Sequence, residues 1–152
     1  MDFLYKATTK HTFKEYQKLY LTLSKARNIL VICLVWMILA VLGIFTKNAL
    51  FFVAMVIVPF FEYFSQMRPL KKAYYSNKLA VDAELEFEFY EDFFTKKSKT
   101  GEDKIQYNDL YKIIETKSNF YLLLARNQGY ILIKNNLPIG LDEFLRTKKC
   151  NG

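Results

Sequence analysis

The chain has 152 residues, 52% of them hydrophobic and 17% aromatic, with a net charge of +7. So much apolar mass excludes a disordered chain, and only five glycines and three prolines exclude a collagen-like or linker-like one. Residues 1–78 hold eleven Lys/Arg against three acids and residues 79–152 eleven against twelve, so the basic surplus flanks the apolar part, which points to a membrane and away from nucleic acid.

Residues 1–28 read as an amphipathic N-terminal arm. Thr12 to Glu15 fits a capping box, with Thr12 as N-cap and Glu15 reaching back to it. Phe13, Tyr16, Tyr20 and Leu23 then recur at helical spacing. Such a basic helix either lies along an anionic leaflet or docks on the folded domain. His11, the only histidine, sits just before the cap and reads as incidental.

Residues 29–67 read as a transmembrane helical hairpin. Residues 29–45 (ILVICLVWMILAVLGIF) carry no charge, and at about 1.5 Å per residue they span roughly 25 Å. Thr46, Lys47 and Asn48 interrupt the run. Residues 49–61 (ALFFVAMVIVPFF) resume it, and it continues to Met67 with one charge, Glu62. Two apolar helices joined by three polar residues run antiparallel. Lys14, Lys18, Lys25 and Arg27 precede the hairpin, and Arg68, Lys71, Lys72 and Lys78 follow it; the loop holds only Lys47. The positive-inside rule then places both termini in the cytoplasm, at the plasma membrane. A cleaved signal peptide does not fit a second apolar run. Pro59 is expected to kink the second helix.

Glu62 is the candidate site of the hairpin, because an intramembrane carboxylate is costly. With Lys47 at the centre, Glu62 lies opposite Ile32, about a turn from Asn28 and Arg27, and is expected to pair with Arg27 rather than move an ion. Cys33 falls in lipid and Cys150 near the C-terminus, so a disulfide between them is not expected.

Residues 68–80 read as a basic juxtamembrane linker, and 81–152 as a cytosolic β domain. In residues 83–90, Leu85, Phe87 and Phe89 alternate with Glu84, Glu86 and Glu88, the pattern of a half-buried strand. A two-residue turn at Glu91 and Asp92 sets Phe89 opposite Phe94, Glu86 opposite Lys97 and Glu84 opposite Lys99. The glutamates then form a salt-bridged outer face rather than a metal site. The same register puts Lys96 on the inward face, where the pairing is expected to bulge or end early. Residues 99–103 read as a turn, with short strands at 104–107, 110–116, 120–125 and 130–133 and a loop at 134–138. Leu141, Phe144 and Leu145 form the stripe of a final helix. The expected class is thus an α+β membrane protein: a two-helix hairpin, then an antiparallel β-meander of about six strands closed by a C-terminal helix. A fragment of residues 79–152 is expected to be β-rich and marginally stable.

This layout, with FYED at 89–92, IQYNDL at 105–110, KIIET at 112–116, FYLLL at 120–124 and YILI at 130–133, resembles the YcxB-like family. The resemblance implies a small bacterial membrane protein whose cytosolic domain is akin to the pleckstrin-homology (PH) fold. It implies no catalytic residue. Phe93 stands where such proteins often place glycine, which is expected to alter the first hairpin turn.

No phosphate-binding glycine loop, zinc pattern or catalytic triad is evident, so neither an enzyme nor a cofactor is expected. The functional expectation is a membrane-anchored module that binds a protein or peptide partner at the inner face. The alternatives are a lipid-engaging or membrane-stress sensor, or a subunit of a transport assembly using Glu62. Lys96, Lys97 and Lys99 form the basic turn a lipid sensor would use, although nearby acids leave it little net field. The expected partners are the bilayer and either another protein or a second copy.

Overall fold

A computed structural model describes residues 2–76, 78, 81–99 and 101–149. The order is β1 (Tyr5–Lys10), α1 (Phe13–Thr46), α2 (Leu50–Ser76), β2 (Glu84–Phe89), β3 (Phe93–Ser98), β4 (Gly101–Gln106), β5 (Lys112–Glu115), β6 (Asn119–Ala125), β7 (Gln128–Ile133) and α3 (Leu141–Lys149). Single 3-10 turns occupy Tyr107–Asp109 and Lys134–Asn136. The chain divides into two units: Met1–Tyr20 with Asn77–Gly152, and Leu21–Ser76.

The first unit holds two antiparallel sheets, ordered β1-β2-β3-β4 and β5-β6-β7. The hydrophobic alternation of β2 sends Phe87 and Phe89 inward, where they are fully buried with Phe94, Phe120, Leu122, Leu132, Leu141 and Leu145. Each such side chain removed from water contributes roughly 1.5–3 kcal/mol. Residues from both sheets and α3 share this one core. The Glu91–Asp92 turn is closed by the Tyr90 N–H donating to the Phe93 carbonyl at 2.9 Å. Phe93 stacks on Tyr90 at 4.5 Å, which a glycine at that position could not do. The β2–β3 register is the expected one where the strands pair, Phe89 facing Phe94 and Glu86 facing Lys97, but the expected Glu84–Lys99 pair does not form, because β3 ends at Ser98.

Four features differ from the sequence reading. The N-terminal arm contains β1, which pairs with β2 over six residues, Tyr5 facing Phe89 and Lys10 facing Glu84. The β domain therefore begins at residue 5, although 73 residues separate its first strand from its second. Thr12 does cap α1, its Oγ1 accepting from the Glu15 N–H at 3.4 Å. The Glu15 carboxylate, however, accepts from Asn119 and Lys18, because a buried amide on β6 lies within reach of the first helical turn. Residues 68–76, read as linker, continue α2, while Asn77, Leu79 and Ala80 lie outside the described residues. Gly101 to Asp103, read as turn, belong to β4 and pair with β3.

Gly129 is required by close approach. A Cβ there would stand 2.5 Å from the Leu122 carbonyl oxygen and 2.8 Å from the Leu123 Cα, backbone atoms that cannot rotate away. Gly129→Ala should cost about 2 kcal/mol or more by overpacking, measured as a fall in the melting temperature of the full chain in detergent. An unchanged melting temperature would mean that the β6–β7 hairpin opens without penalty.

The second unit is a helical hairpin. Its helices of 34 and 27 residues extend about 51 and 40 Å, against roughly 30 Å of bilayer hydrocarbon. Both are long and apolar enough to cross a membrane, and only 6% and 0% of their most apolar windows are buried. Lys47, at φ 52°, turns the chain, and the Asn48 Oδ1 caps α2 by accepting from the Leu50 N–H at 3.0 Å.

Pro59 lies inside α2, which continues past it and past Pro69. Proline has no N–H to give the carbonyl four residues earlier, that of Met55. The Trp36 indole supplies the donor instead, Nε1 to the Met55 oxygen at 2.9 Å. A bond across the hairpin thus repairs the defect within one helix. Together with the Asn28–Gln66 bond, it centres the antiparallel register near Lys47.

Candidate functional site

The hairpin carries a polar ladder. Asn28 Nδ2 donates to Ser24 Oγ at 3.3 Å and across the hairpin to Gln66 Oε1 at 3.1 Å. Gln66 Nε2 in turn donates to Glu62 Oε1 at 3.2 Å. Glu62 therefore pairs with Gln66 rather than with Arg27, because the i,i+4 spacing on one helix face brings the amide closer than the exposed arginine. The carboxylate has polar companions that composition alone did not disclose. The signal was present: with Lys47 as centre, Asn28 and Gln66 are opposite each other.

The basic turn does not form one patch. Lys96 and Lys97 are consecutive strand residues and point to opposite faces. Lys96 faces inward opposite Phe87, as expected, and the β2–β3 pairing ends one pair later, at Glu86 and Lys97, whereas β3 runs on beside β4 to Ser98. The lysine is accommodated because its Nζ pairs with Asp103 at 2.5 Å and lies 5.5 Å over the Tyr130 ring. Burial pulls its pKa down, but the Asp103 hydrogen bond and charge together with Tyr130 outweigh this and raise it. Lys97 pairs with Glu88 at 2.8 Å and stands 3.8 Å from Glu102. That hydrogen bond is the main reason the Glu88 carboxyl titrates below its ordinary value. Lys6 pairs with Glu86 at 2.5 Å on the same outer face. Lys99 is an exposed turn residue. Two of the three candidate lysines are thus already neutralised by carboxylates, and two of the three ladder glutamates, Glu86 and Glu88, are salt-bridged.

His11 is partly buried beside Tyr16, ring centroids 5.9 Å apart, and burial lowers its pKa. Cys33 is exposed and unoxidised, and Cys150 lies outside the described residues.

Sequence reasoning did not single out the cluster at the foot of α3. Glu115, at the end of β5, accepts from Lys134 at 2.7 Å and from Arg146 at 2.9 Å. The Arg146 and Lys134 hydrogen bonds hold its pKa down at about 2. A depressed carboxylate stabilises the fold above its unfolded pKa, near 4.5, and that contribution is lost as pH falls toward 2. Accordingly, the stability difference between wild type and Glu115→Gln should shrink from pH 5 to pH 2 in thermal melts. A constant difference would show that the ion pairs contribute nothing.

Beside this cluster lies a groove of about 400 Å³ lined by Lys134, Leu137, Pro138, Ile139, Asp142 and Arg146, among others. Ile139 is fully exposed (101%). Gly140, at φ +90°, lets the chain enter α3 close to Tyr5, whose hydroxyl would stand 3.1 Å from any added Cβ. Three residues form this lip, Pro138 to Gly140: the first ends the loop read from the sequence at 134–138 and the other two follow it, and nothing in so short a connection tells which side chain is left uncovered.

These elements from β2 to α3 are also where the chain matches a family. The match is to the YcxB-like protein family. It covers residues 89–147, from the last residue of β2 into α3, and so agrees with the resemblance seen in the strand and turn motifs. No curated protein and no solved structure matches the chain. The YcxB-like segment contains the Glu115 cluster and the groove, but neither β1 nor the apolar hairpin.

Proposed function

We propose that the chain is a membrane-anchored interaction module whose YcxB-like β domain, of PH-like architecture, receives a protein or peptide partner at the inner face of the plasma membrane. The observation that carries the anchoring is the chain order. The hairpin leaves the sheet after β1 and returns at β2, and these strands are hydrogen-bonded neighbours. At the neck the His11 N–H donates to the Ala83 carbonyl at 2.8 Å. Two strands of one sheet must lie on the same side of a bilayer, so the segment between them crosses an even number of times. Two uncovered apolar helices meet that requirement. The flanking cations favour the cytoplasm as the side on which the sheet folds.

Four strands, then three, with a helix closing the core, support the PH-like reading. The groove beside α3 supports the partner reading, because an uncovered isoleucine with Leu137 and Pro138, rimmed by charged residues, has the make-up of a small recognition surface. This reading assigns a binding role and no reaction. A photoreactive residue at Ile139 in the full-length membrane protein should give a discrete adduct in cells, and one at Glu102 on β4 should not. Equal labelling at both positions, or none at Ile139, would count against the groove.

A further inference from the structure

Among the described residues, some cations of the β unit are met by carboxylates, while those of the hairpin unit are not. In the β unit, Lys6, Lys96, Lys97, Lys134 and Arg146 each hold a carboxylate. In the hairpin unit, Lys25, Arg27, Lys47, Arg68, Lys71 and Lys72 face a single acid, Glu62, which makes +6 − 1 = +5. Glu62 is engaged with Gln66. Among the described residues, none of Lys25, Arg27, Arg68, Lys71 and Lys72 has a carboxylate within ion-pair distance, and all five are exposed.

Those five are brought to one level. The Asn28–Gln66 bond at 3.1 Å fixes the register there. Lys25 and Arg27 lie within one turn of Asn28, and Arg68, Lys71 and Lys72 follow Gln66 within two turns. Ser24, Leu70 and Tyr74 are buried, so the cations occupy the remaining, open faces of both helices. The level coincides with the end of the apolar runs. Like charges gathered at one height repel unless counter-charge sits among them, and among the described residues no carboxylate pairs with these five.

We infer that this collar is a binding site for the phosphate headgroups of anionic phospholipids, with several lipids ringing the base of the hairpin. The inference rests on the membrane reading above. It also assigns lipid contact to a place other than the basic turn at Lys96 and Lys97, whose charges are spent on Asp103, Glu88 and Glu102. A juxtamembrane cation near an anionic leaflet attracts it appreciably, and five together suffice for selective retention.

The test uses the full-length protein, purified in mild detergent from nanodiscs holding equal phosphatidylglycerol and phosphatidylcholine, with the retained lipids counted by mass spectrometry. Phosphatidylglycerol should be enriched several-fold, and the enrichment should fall with added salt. It should drop to near unity when Lys25, Arg27, Arg68, Lys71 and Lys72 are changed to Gln. A variant with Lys25, Lys71 and Lys72 changed to Arg keeps the charge and should keep the enrichment, as should Lys47→Gln, which alters a cation at the other end. Equal retention of the two lipids by wild type would overturn the collar, as would enrichment that survives the five Gln changes. Carbonate extraction reads the anchoring separately: release from membranes would overturn both readings, whereas retention with equal headgroups would overturn only this one.

Discussion

Replacing residues 12–81 by a linker of two to four residues should turn the chain into a water-soluble β domain that unfolds cooperatively. The excised ends already touch, through the His11 N–H and the Ala83 carbonyl at 2.8 Å, so a short hairpin loop can join β1 to β2 without moving either. The change removes every apolar residue of the hairpin and keeps the core intact, including Ala7 and the partly buried Tyr5. Asn119 loses its Glu15 partner, a loss of about 1–3 kcal/mol that the domain must tolerate. The fragment 79–152 should behave quite differently. Without β1 it forfeits six register pairs and bares the edge of β2 beside Phe87 and Phe89. Small domains hold only about 5–15 kcal/mol in total, so this fragment should aggregate or remain unfolded. Circular dichroism and size exclusion of the two proteins decide the matter. A monomeric, folded 79–152 as stable as the linked version would show that β1 is dispensable.

Asn119→Asp should be the most damaging single change in the β domain. Asn119 is fully buried, and its Nδ2 donates to Glu15 Oε2 at 2.6 Å and to the Tyr121 hydroxyl at 3.2 Å. A carboxylate there would meet the Glu15 carboxylate in a site shielded from water, and burial and like charge both raise the folded-state pKa of such an acid. The penalty should be about 3–5 kcal/mol at neutral pH, the range found when a buried charge is left uncompensated. A raised folded pKa makes the penalty grow as pH rises above the unfolded value near 3.9 and vanish below it. Thermal melts of the full chain in detergent should therefore show Asn119→Asp far below wild type at pH 7 and closer to it at pH 4. A gap that does not depend on pH would mean that lost packing, not charge, is the cause.

The strand alternation of residues 84–89 and the Glu91–Asp92 turn were enough to place Phe89 against Phe94 and Glu86 against Lys97, because strand period and turn length together fix register. The final helix was legible from Leu141 and Leu145 for the same reason. β1 was not. Its inward residues are Tyr5, Ala7 and Thr9, too weakly apolar to stand out, and its partner strand lies beyond the whole hairpin. Residues 68–80 read as a linker because the apolar run ends at Met67, yet α2 runs on to Ser76, since neither the cations that follow nor the missing N–H of Pro69 obliges a helix to stop. The Glu62–Gln66–Asn28 ladder was one step away: the register was right, but the short amide neighbour was passed over for the distant arginine. The groove at Ile139 depends on which loop side chain the fold leaves bare, and no local pattern carries that information.

The central claim is that two membrane crossings separate neighbouring strands of one sheet, so that both ends of the hairpin share a side. Single cysteines at Asn48, at Asp2 and at the native Cys150, each in a chain otherwise free of cysteine, test it with a membrane-impermeant thiol reagent on intact cells. Asn48→Cys should be labelled, while Asp2→Cys and Cys150 should react only after the membrane is opened. Labelling of Asp2→Cys and Cys150 on opposite sides would contradict the account, since β1 and β2 could not then lie in one sheet.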